Sequence, residues 1–167
     1  MKNVVLIGMP GTGKSTVGVI LAKRLGYGFL DTDILLAQTE HRRLPEIITA
    51  DGYEAFIAIE GRLGESIDRD GCVIATGGSM VFSEKAMENL CSNGITIWLD
   101  TPVQALEERL ATSRISRGVA APDDMTVADI YKQRSPLYER YADLKVECAD
   151  GIDNVVSTVF ELLEGRI

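Results

Sequence analysis

Gly8-Met9-Pro10-Gly11-Thr12-Gly13-Lys14-Ser15-Thr16 stands directly after an apolar run, Val4-Val5-Leu6-Ile7, and directly before a stretch carrying Val17, Val19, Ile20, Leu21 and Leu25. The segment fits G-x-x-x-x-G-K-[ST] at every fixed position, with the strand before it and the helix after it that give the pattern its meaning. Glycines at 8, 11 and 13 allow a tight turn in which successive backbone N–H groups and the start of the helix converge on one point, a geometry that attracts an anion. Lys14 and Ser15 then have separate tasks: a cation for the outer phosphates of a nucleoside triphosphate, and a hydroxyl for Mg²⁺. An empty glycine turn has no use for a lysine and a hydroxyl at those two places. Contacts to the nucleotide are therefore expected from Gly11, Thr12, Gly13, Lys14, Ser15 and Thr16.

Working outward, Asn3–Ile7 reads as a first strand and 14–25 as a first helix, closed by Gly26. Gly28–Asp31 is a short second strand that delivers Asp31-Thr32-Asp33 at its C-terminal end, the edge of a parallel sheet where ligands bind. Short helices are expected over 34–38 and 45–48. A longer one is expected over 53–67, where Phe56, Ile59, Leu63 and Ile67 fall three or four apart. The runs 72–75 and 95–99 are continuously apolar, as strands buried on both faces are, and Thr76-Gly77-Gly78-Ser79 follows the first of them. Helices over 84–90 (capped by Ser83), 102–111, 126–141 and 152–163, with an edge strand over 144–148, complete the alternation. Pro136, inside the 126–141 pattern, predicts a kink or a junction. From 112 to 125 the periodicity stops, and TSRISRGVAAPDDM reads as a mobile surface loop, a lid. The sum is an open α/β sheet with helices on both faces, one domain over 1–167. Right-handed crossovers bring the loops after Ile7, Leu30, Ala75 and Leu99 to one edge.

At 167 residues the chain has the size of one such doubly covered sheet. Hydrophobic residues make up 46% and charged residues 25%, the balance of a globular chain and not of a disordered or fibrous one. Asp and Glu number 25 against 17 Lys and Arg, a formal net charge of −8. That excess argues against nucleic acid as a partner, because backbone phosphates call for Lys and Arg. Cys72, Cys91 and Cys148 are far apart and form neither a C-x-x-C nor a metal spacing, so they are expected as reduced, partly buried thiols. No run reaches 18 apolar residues, and the first strand begins at Asn3 with no room for a signal peptide. The expectation is a cytoplasmic protein, with no membrane partner, that acts on a small molecule as a monomer or at most a weak dimer.

Asp31 and Asp33 sit at a strand end beside the phosphate loop, where the turning backbone lets both reach the cleft and do different work. One carboxylate suits Mg²⁺ through water, and the other suits an acceptor hydroxyl that it orients for in-line attack. A pair that merely caps the next helix is the competing reading. Arg109, Arg114, Arg117 and Arg134 are candidates to neutralise charge on transferring phosphoryl oxygens, Arg114 and Arg117 from a loop able to close over the nucleotide. Solvated surface charge is the alternative for Arg109 and Arg114. His41, between Glu40 and Arg42-Arg43, reads as surface rather than as a base.

With the phosphate loop, Asp31-Thr32-Asp33, Gly52…Phe56…Glu60, Gly77-Gly78 and Arg134-Ser135-Pro136-Leu137-Tyr138 all in place, the chain resembles the shikimate kinases over nearly its whole length. The resemblance implies a P-loop NTPase-like three-layer sandwich, with a five-stranded parallel sheet and a lid at about 112–125. It implies transfer of the ATP γ-phosphate to a ring hydroxyl of shikimate, giving shikimate 3-phosphate. On the matching positions it makes Lys14 and Ser15 the phosphate and Mg²⁺ residues and Asp31 a Mg²⁺ ligand through water. Asp33 falls on the substrate hydroxyls, Arg117 over the phosphates and Arg134 on the substrate carboxylate. Gly77, Gly78 and Ser79 line the substrate pocket, and catalysis rests on Lys14, Asp33 and Arg117. Ile57 stands where the family has an arginine on the shikimate carboxylate, and Ser79 where it has the third glycine of a G-G-G run. Ala37 replaces a glutamate, and Arg117-Gly118-Val119-Ala120 replaces arginine, proline and two leucines. The nucleotide side is kept and the acceptor side is changed. Two further readings therefore stay open: a kinase for another small hydroxy acid or polyol, and a nucleotide-binding regulator that has lost transfer.

Overall fold

The computed structural model describes residues 1–111 and 119–167. Strands β1 (Asn3–Ile7), β2 (Gly28–Asp31), β3 (Cys72–Ala75), β4 (Gly94–Asp100) and β5 (Leu144–Glu147) form one five-stranded parallel sheet in the order β2-β3-β1-β4-β5. Helices α1 (Lys14–Leu25), α2 (Thr32–Glu40), α3 (Leu44–Asp51), α4 (Tyr53–Ser66), α5 (Glu84–Ser92), α6 (Val103–Leu110), α7 (Val127–Tyr141) and α8 (Ile152–Leu163) cover its two faces. This is a three-layer α/β sandwich with a five-stranded parallel sheet.

β1 takes the centre because all five of its residues are buried. Its side chains alternate between two cores, as the two-residue period of a strand requires. Val5 and Ile7 join Ile74, Met87, Trp98 and Tyr138 on one face. Val4 and Leu6 join Val17, Leu21, Ile97 and Val159 on the other. The chain leaves β1 toward β2 on one side and, after β3, crosses to β4 on the other, so the C-terminal edge of β1 lies at the switch point where open α/β sheets bind ligands. A third, smaller cluster of Leu36, Ile47, Phe56 and Ala120 sits under α2, α3 and α4.

Four local features differ from the pattern reading, each for a physical reason. α2 starts at Thr32, ahead of the expected 34, because the Asp31 carboxylate accepts hydrogen bonds from the N–H groups of Asp33 (2.9 Å) and Ile34 (3.2 Å) and caps the helix. α7 runs as one helix through Pro136, with no junction dividing it into two pieces. Pro136 and Lys132 are both exposed, so the Lys132 carbonyl that loses its N–H partner is open to water. α4 buries Phe56, Glu60, Gly61 and Gly64 rather than an apolar stripe continuing through Ile59 and Ile67. A Cβ on Gly64 would lie 2.6 Å from the Ala86 Cβ, so glycine lets α4 lie directly against α5. Finally, Val119 and Ala120, expected in a surface loop, are only 4% and 3% exposed. Small apolar side chains outside any period give no pattern to read. Among the described residues no helix is long and apolar enough to cross a membrane, and the three cysteines are unpaired thiols.

Candidate active site

A cavity of about 360 Å³ opens at the C-terminal edge of the sheet. The phosphate loop forms one wall, and Asp33, Glu60, Thr76–Ser79, Ala120 and Arg134 form the other. Lys14, at the start of α1, is buried, and its ammonium donates to the carbonyls of Gly8 (2.7 Å) and Met9 (2.8 Å). Burial lowers its pKa to about 8 against the opposing pull of the Asp33 carboxylate. Ser15 Oγ donates to Asp31 Oδ2 at 2.5 Å, while Asp31 Oδ1 caps α2. A hydroxyl and a carboxylate so placed are hard oxygen donors of the kind Mg²⁺ takes, since this ion keeps several waters and borrows the rest of its ligands from phosphates. Among the described residues no group of three His, Cys, Asp or Glu exists that would hold an ion without such help.

Asp33 lies two residues beyond the cap and faces the cavity, its pKa raised to about 6 by burial and by the Asp31 charge, with Lys14 opposing. Arg134 comes from α7 and is 1% exposed. Its Nη2 donates to the Ala120 carbonyl at 2.7 Å, its guanidinium stands 5.3 Å over the Phe82 ring, and its Nε and Nη1 have no partner. Glu60, on the buried face of α4, is also 1% exposed. Its Oε2 accepts from the Ser79 hydroxyl and its Oε1 has no partner. Burial and the Asp33 charge push its pKa up to about 7, with Ser79, Arg134 and Lys14 pulling it down. None of the ion pairs among the described residues involves Lys14, Asp33, Glu60 or Arg134. The cavity thus presents two cations and two carboxyls held apart.

The turn after β3 spaces them. A Cβ on Gly77 would sit 1.8 Å from Glu60 Oε1 and 2.8 Å from Asp33 Oδ1, so only glycine leaves room for both carboxyl groups. The Gly77 N–H donates to Thr32 Oγ1 (2.9 Å), and the Gly78 carbonyl accepts from the buried Tyr138 hydroxyl (2.6 Å), which ties the turn to α2 and α7.

The family model described as shikimate kinase matches residues 10–164. The chain belongs to the shikimate kinase family. It is 36% identical to a shikimate kinase of Synechococcus sp. (strain RCC307) over 99% of this chain and 86% of that one. To a shikimate kinase of Nostoc sp. (strain PCC 7120) it is 40% identical over 86% of this chain and 80% of the relative. Among solved structures, shikimate kinase from Acinetobacter baumannii in complex with shikimate aligns with a TM-score of 0.86 at 28% identity, covering 99% of this chain and 94% of that one.

Of the residues expected at a shikimate kinase site, Gly11, Gly13, Lys14, Ser15, Thr16, Asp33, Gly77, Gly78, Ser79 and Arg134 all line the one cavity. Asp31 stands at its edge through Ser15. Asp31, not Asp33, is the helix cap, so the capping alternative holds for one of the two aspartates and leaves the other free. Thr12 does not line the cavity: its hydroxyl is buried without a partner, and its N–H points to the Met9 carbonyl at 3.4 Å. Exposed Arg109 reaches the phosphate loop from outside, donating to the Gly11 carbonyl at 2.9 Å. Arg114 and Arg117 lie outside the described residues. Ser79 contributes its hydroxyl to Glu60 rather than to open space. Ile57 does not line the cavity; it packs on the Leu36, Ile47, Phe56 and Ala120 cluster. Glu60 is the residue that sequence reasoning left without a role. The available signal was its place one helical turn after Phe56, which puts a carboxyl on the buried face.

Proposed function

We propose that this protein transfers the γ-phosphate of ATP to the 3-hydroxyl of shikimate, giving shikimate 3-phosphate and ADP, with Mg²⁺ as the metal. One observation carries the reading. A single cavity joins a phosphate loop to a buried arginine with two unpartnered donors, flanked by two carboxyls. Buried donors of a guanidinium call for an anion, and a carboxylate on the acceptor answers both at once. A polyol without a carboxylate would leave Arg134 unanswered. A regulator that only binds nucleotide would give Asp33, Glu60 and Arg134 no task.

A bound Mg²⁺ would supply positive charge to offset the charge that builds on the phosphate oxygens. Ser15 and Asp31 are the residues to hold it, Asp31 through water. Lys14 exchanges the carbonyls of Gly8 and Met9 for phosphate oxygens, a stronger partner for an ammonium. Asp33 accepts the hydrogen bond of the acceptor hydroxyl, aims its oxygen and takes its proton. Its pKa of about 6 leaves it ionised at neutral pH yet basic enough for that work. Arg134 fixes the far end of the acceptor. The family pattern supports Arg117 over the phosphates; Arg109, which already donates to the Gly11 carbonyl of the phosphate loop, and Arg114 are candidates on the nucleotide side by charge and position. The reading takes the chain as a monomer with a single domain over 1–167. Three unpaired thiols suit the cytoplasm.

The test is ADP release with shikimate, quinate and gluconate as acceptors, with the phosphorylated product identified by mass spectrometry. Shikimate is expected to have the highest kcat/KM. Efficient turnover of another acceptor with none of shikimate would replace this reading.

A further inference from the structure

A second cavity, of about 210 Å³, lies between α2 and α4 and shares no residue with the active-site cavity. Its lining recurs at helical spacing, 36, 39 and 40 on α2 and 59, 62, 63 and 66 on α4, so one face of each helix makes one wall. Leu36, 1% exposed, forms the floor with Ile59 and Leu63, which pack on the small cluster that Leu36 shares with Ile47 and Phe56. The hydroxyls of Thr39 and Ser66 donate back to the carbonyls of Leu35 and Leu63, each at 2.8 Å. Two opposite charges complete the lining. Arg62 has no hydrogen bond or ion pair among the described residues. Glu40, 28% exposed, accepts from Arg42 at a long 3.4 Å, while Arg42 Nη2 makes its closer bond to Asp51 at 2.8 Å. Phosphoryl transfer as derived above uses none of these side chains.

We infer that this cleft binds a free α-amino acid with a bulky apolar side chain, and that its occupancy favours acceptor binding in the active-site cavity. The charges select the ligand. A hydrocarbon would leave Arg62 and Glu40 unanswered. A simple carboxylate would meet Arg62 but be repelled by Glu40 and by a chain of net charge −8, and a simple amine would meet Glu40 but be repelled by Arg62. An α-amino acid carries a carboxylate for Arg62 and an ammonium for Glu40 on one carbon, with its side chain left for Leu36, Ile59 and Leu63. Glycine or alanine would leave that floor uncovered, so the side chain is a large one. The coupling follows from where the two helices lead. Asp33 stands one turn before Leu36 on α2, Glu60 directly follows Ile59 on α4, and both line the active-site cavity. A ligand across the cleft adds apolar contact between helices that share only a small cluster, and so orders them. An acceptor that meets the ordered pair has less order left to impose and binds more tightly. By linkage, the acceptor tightens the amino acid by the same factor. This coupling rests on the function proposed above; the binding site does not.

The test is calorimetric titration of the full chain with L-leucine, L-methionine and L-phenylalanine, and with the amine and the acid left when the best binder loses its carboxylate or its ammonium. At least one amino acid is expected to bind with a Kd below about 1 mM, and both truncated forms at least about tenfold more weakly. Arg62→Ala and Glu40→Gln should each weaken the amino acid by about tenfold while kcat and KM in its absence stay as in wild type. In Arg62→Ala the amino acid should bind no better than its amine. Saturating amino acid should lower the KM for shikimate by about threefold and leave the KM for ATP unchanged. Binding of none of the three overturns the inference, and so does binding that neither substitution weakens, since the ligand then sits elsewhere. Binding with the KM for shikimate unmoved or raised overturns the coupling. The functional proposal fails separately: if shikimate is not turned over, that proposal and the coupling fall together, while the titration still decides the site.

Discussion

Asp33 and Glu60 are both carboxyls in one cavity, yet their surroundings assign them different work. Asp33 shares the cavity with Lys14 and is the proposed contact to the acceptor hydroxyl, so Asp33→Asn is expected to cut kcat by about 10² or more while ATP affinity stays within a few-fold. Calorimetric titration showing that ATP no longer binds would contradict that division. Glu60 makes a separate prediction through stability. Its carboxyl, near 4.5 in an unfolded chain, is raised to about 7 by burial and by Asp33. Between those values the unfolded chain binds fewer protons than the folded one, so stability without ligands is full below pH 4.5 and falls as pH rises toward 7, by roughly 3 kcal/mol. Asp33, raised to about 6, acts in the same direction, and Lys14, lowered to about 8, acts only at alkaline pH and in the opposite one. Scanning calorimetry at pH 5 and pH 7.5 should show a drop in Tm for wild type and a smaller one for Glu60→Gln; equal drops would remove Glu60 as the cause. At this scale Lys14 and Ser15 were legible because the phosphate-loop spacing alone implies their chemistry, whereas Asp33 was singled out by its place at a strand end and Arg134 by the family resemblance. Glu60 was not, because a helix pattern read through its apolar positions passes over a carboxyl on the buried face.

The elements explain why these side chains meet. Strand ends bring the phosphate loop and the Thr76–Ser79 turn together, while α2, α4 and α7 each contribute one charged residue from behind. The turn is the tightest joint among them, and Gly77→Ala tests it. Its backbone φ is not in the left-handed region, so the substitution adds no conformational strain. It adds a methyl where Glu60 Oε1 and Asp33 Oδ1 already stand. One carboxyl or the other must move, and kcat/KM for the acceptor is expected to fall by about 10² or more with the KM for ATP little changed. Retention of full activity would show that the turn has slack that its packing does not suggest. Nearly all of these elements were readable from strand and helix periods and from glycine positions. The exceptions are instructive: α2 begins early because a side chain caps it, and α7 passes through Pro136 because the lost bond is on the wet face. Both outcomes depend on what surrounds the residue, and a local pattern contains no such information.

At the scale of the molecule the three hydrophobic clusters are not equivalent. The two large ones share the sheet, since β1 sends Val5 and Ile7 to one and Val4 and Leu6 to the other, and neither can be lost without losing the central strands. The third has four buried residues, under α2, α3 and α4 with Ala120, and touches none of β1. A small cluster that encloses little apolar area holds its helices with less free energy than the global value, so α2, α3 and α4 are expected to open locally while the sheet remains intact. Amide hydrogen exchange should then be faster in α3 and the outer turns of α2 and α4 than in α1, β1 or α8, with one cooperative unfolding transition for the rest. Acceptor binding should reverse the difference, because α2, α4 and α7 each line the cavity, through Asp33, Glu60 and Arg134, and an acceptor bound as proposed there would tie them together. Protection of α2 and α4 should therefore rise on adding shikimate and rise less in Glu60→Gln. Exchange in these helices that is as slow as in β1 without ligand, or that is unmoved by shikimate, would mean that the acceptor half of the cavity is already rigid and that binding draws nothing from its looseness.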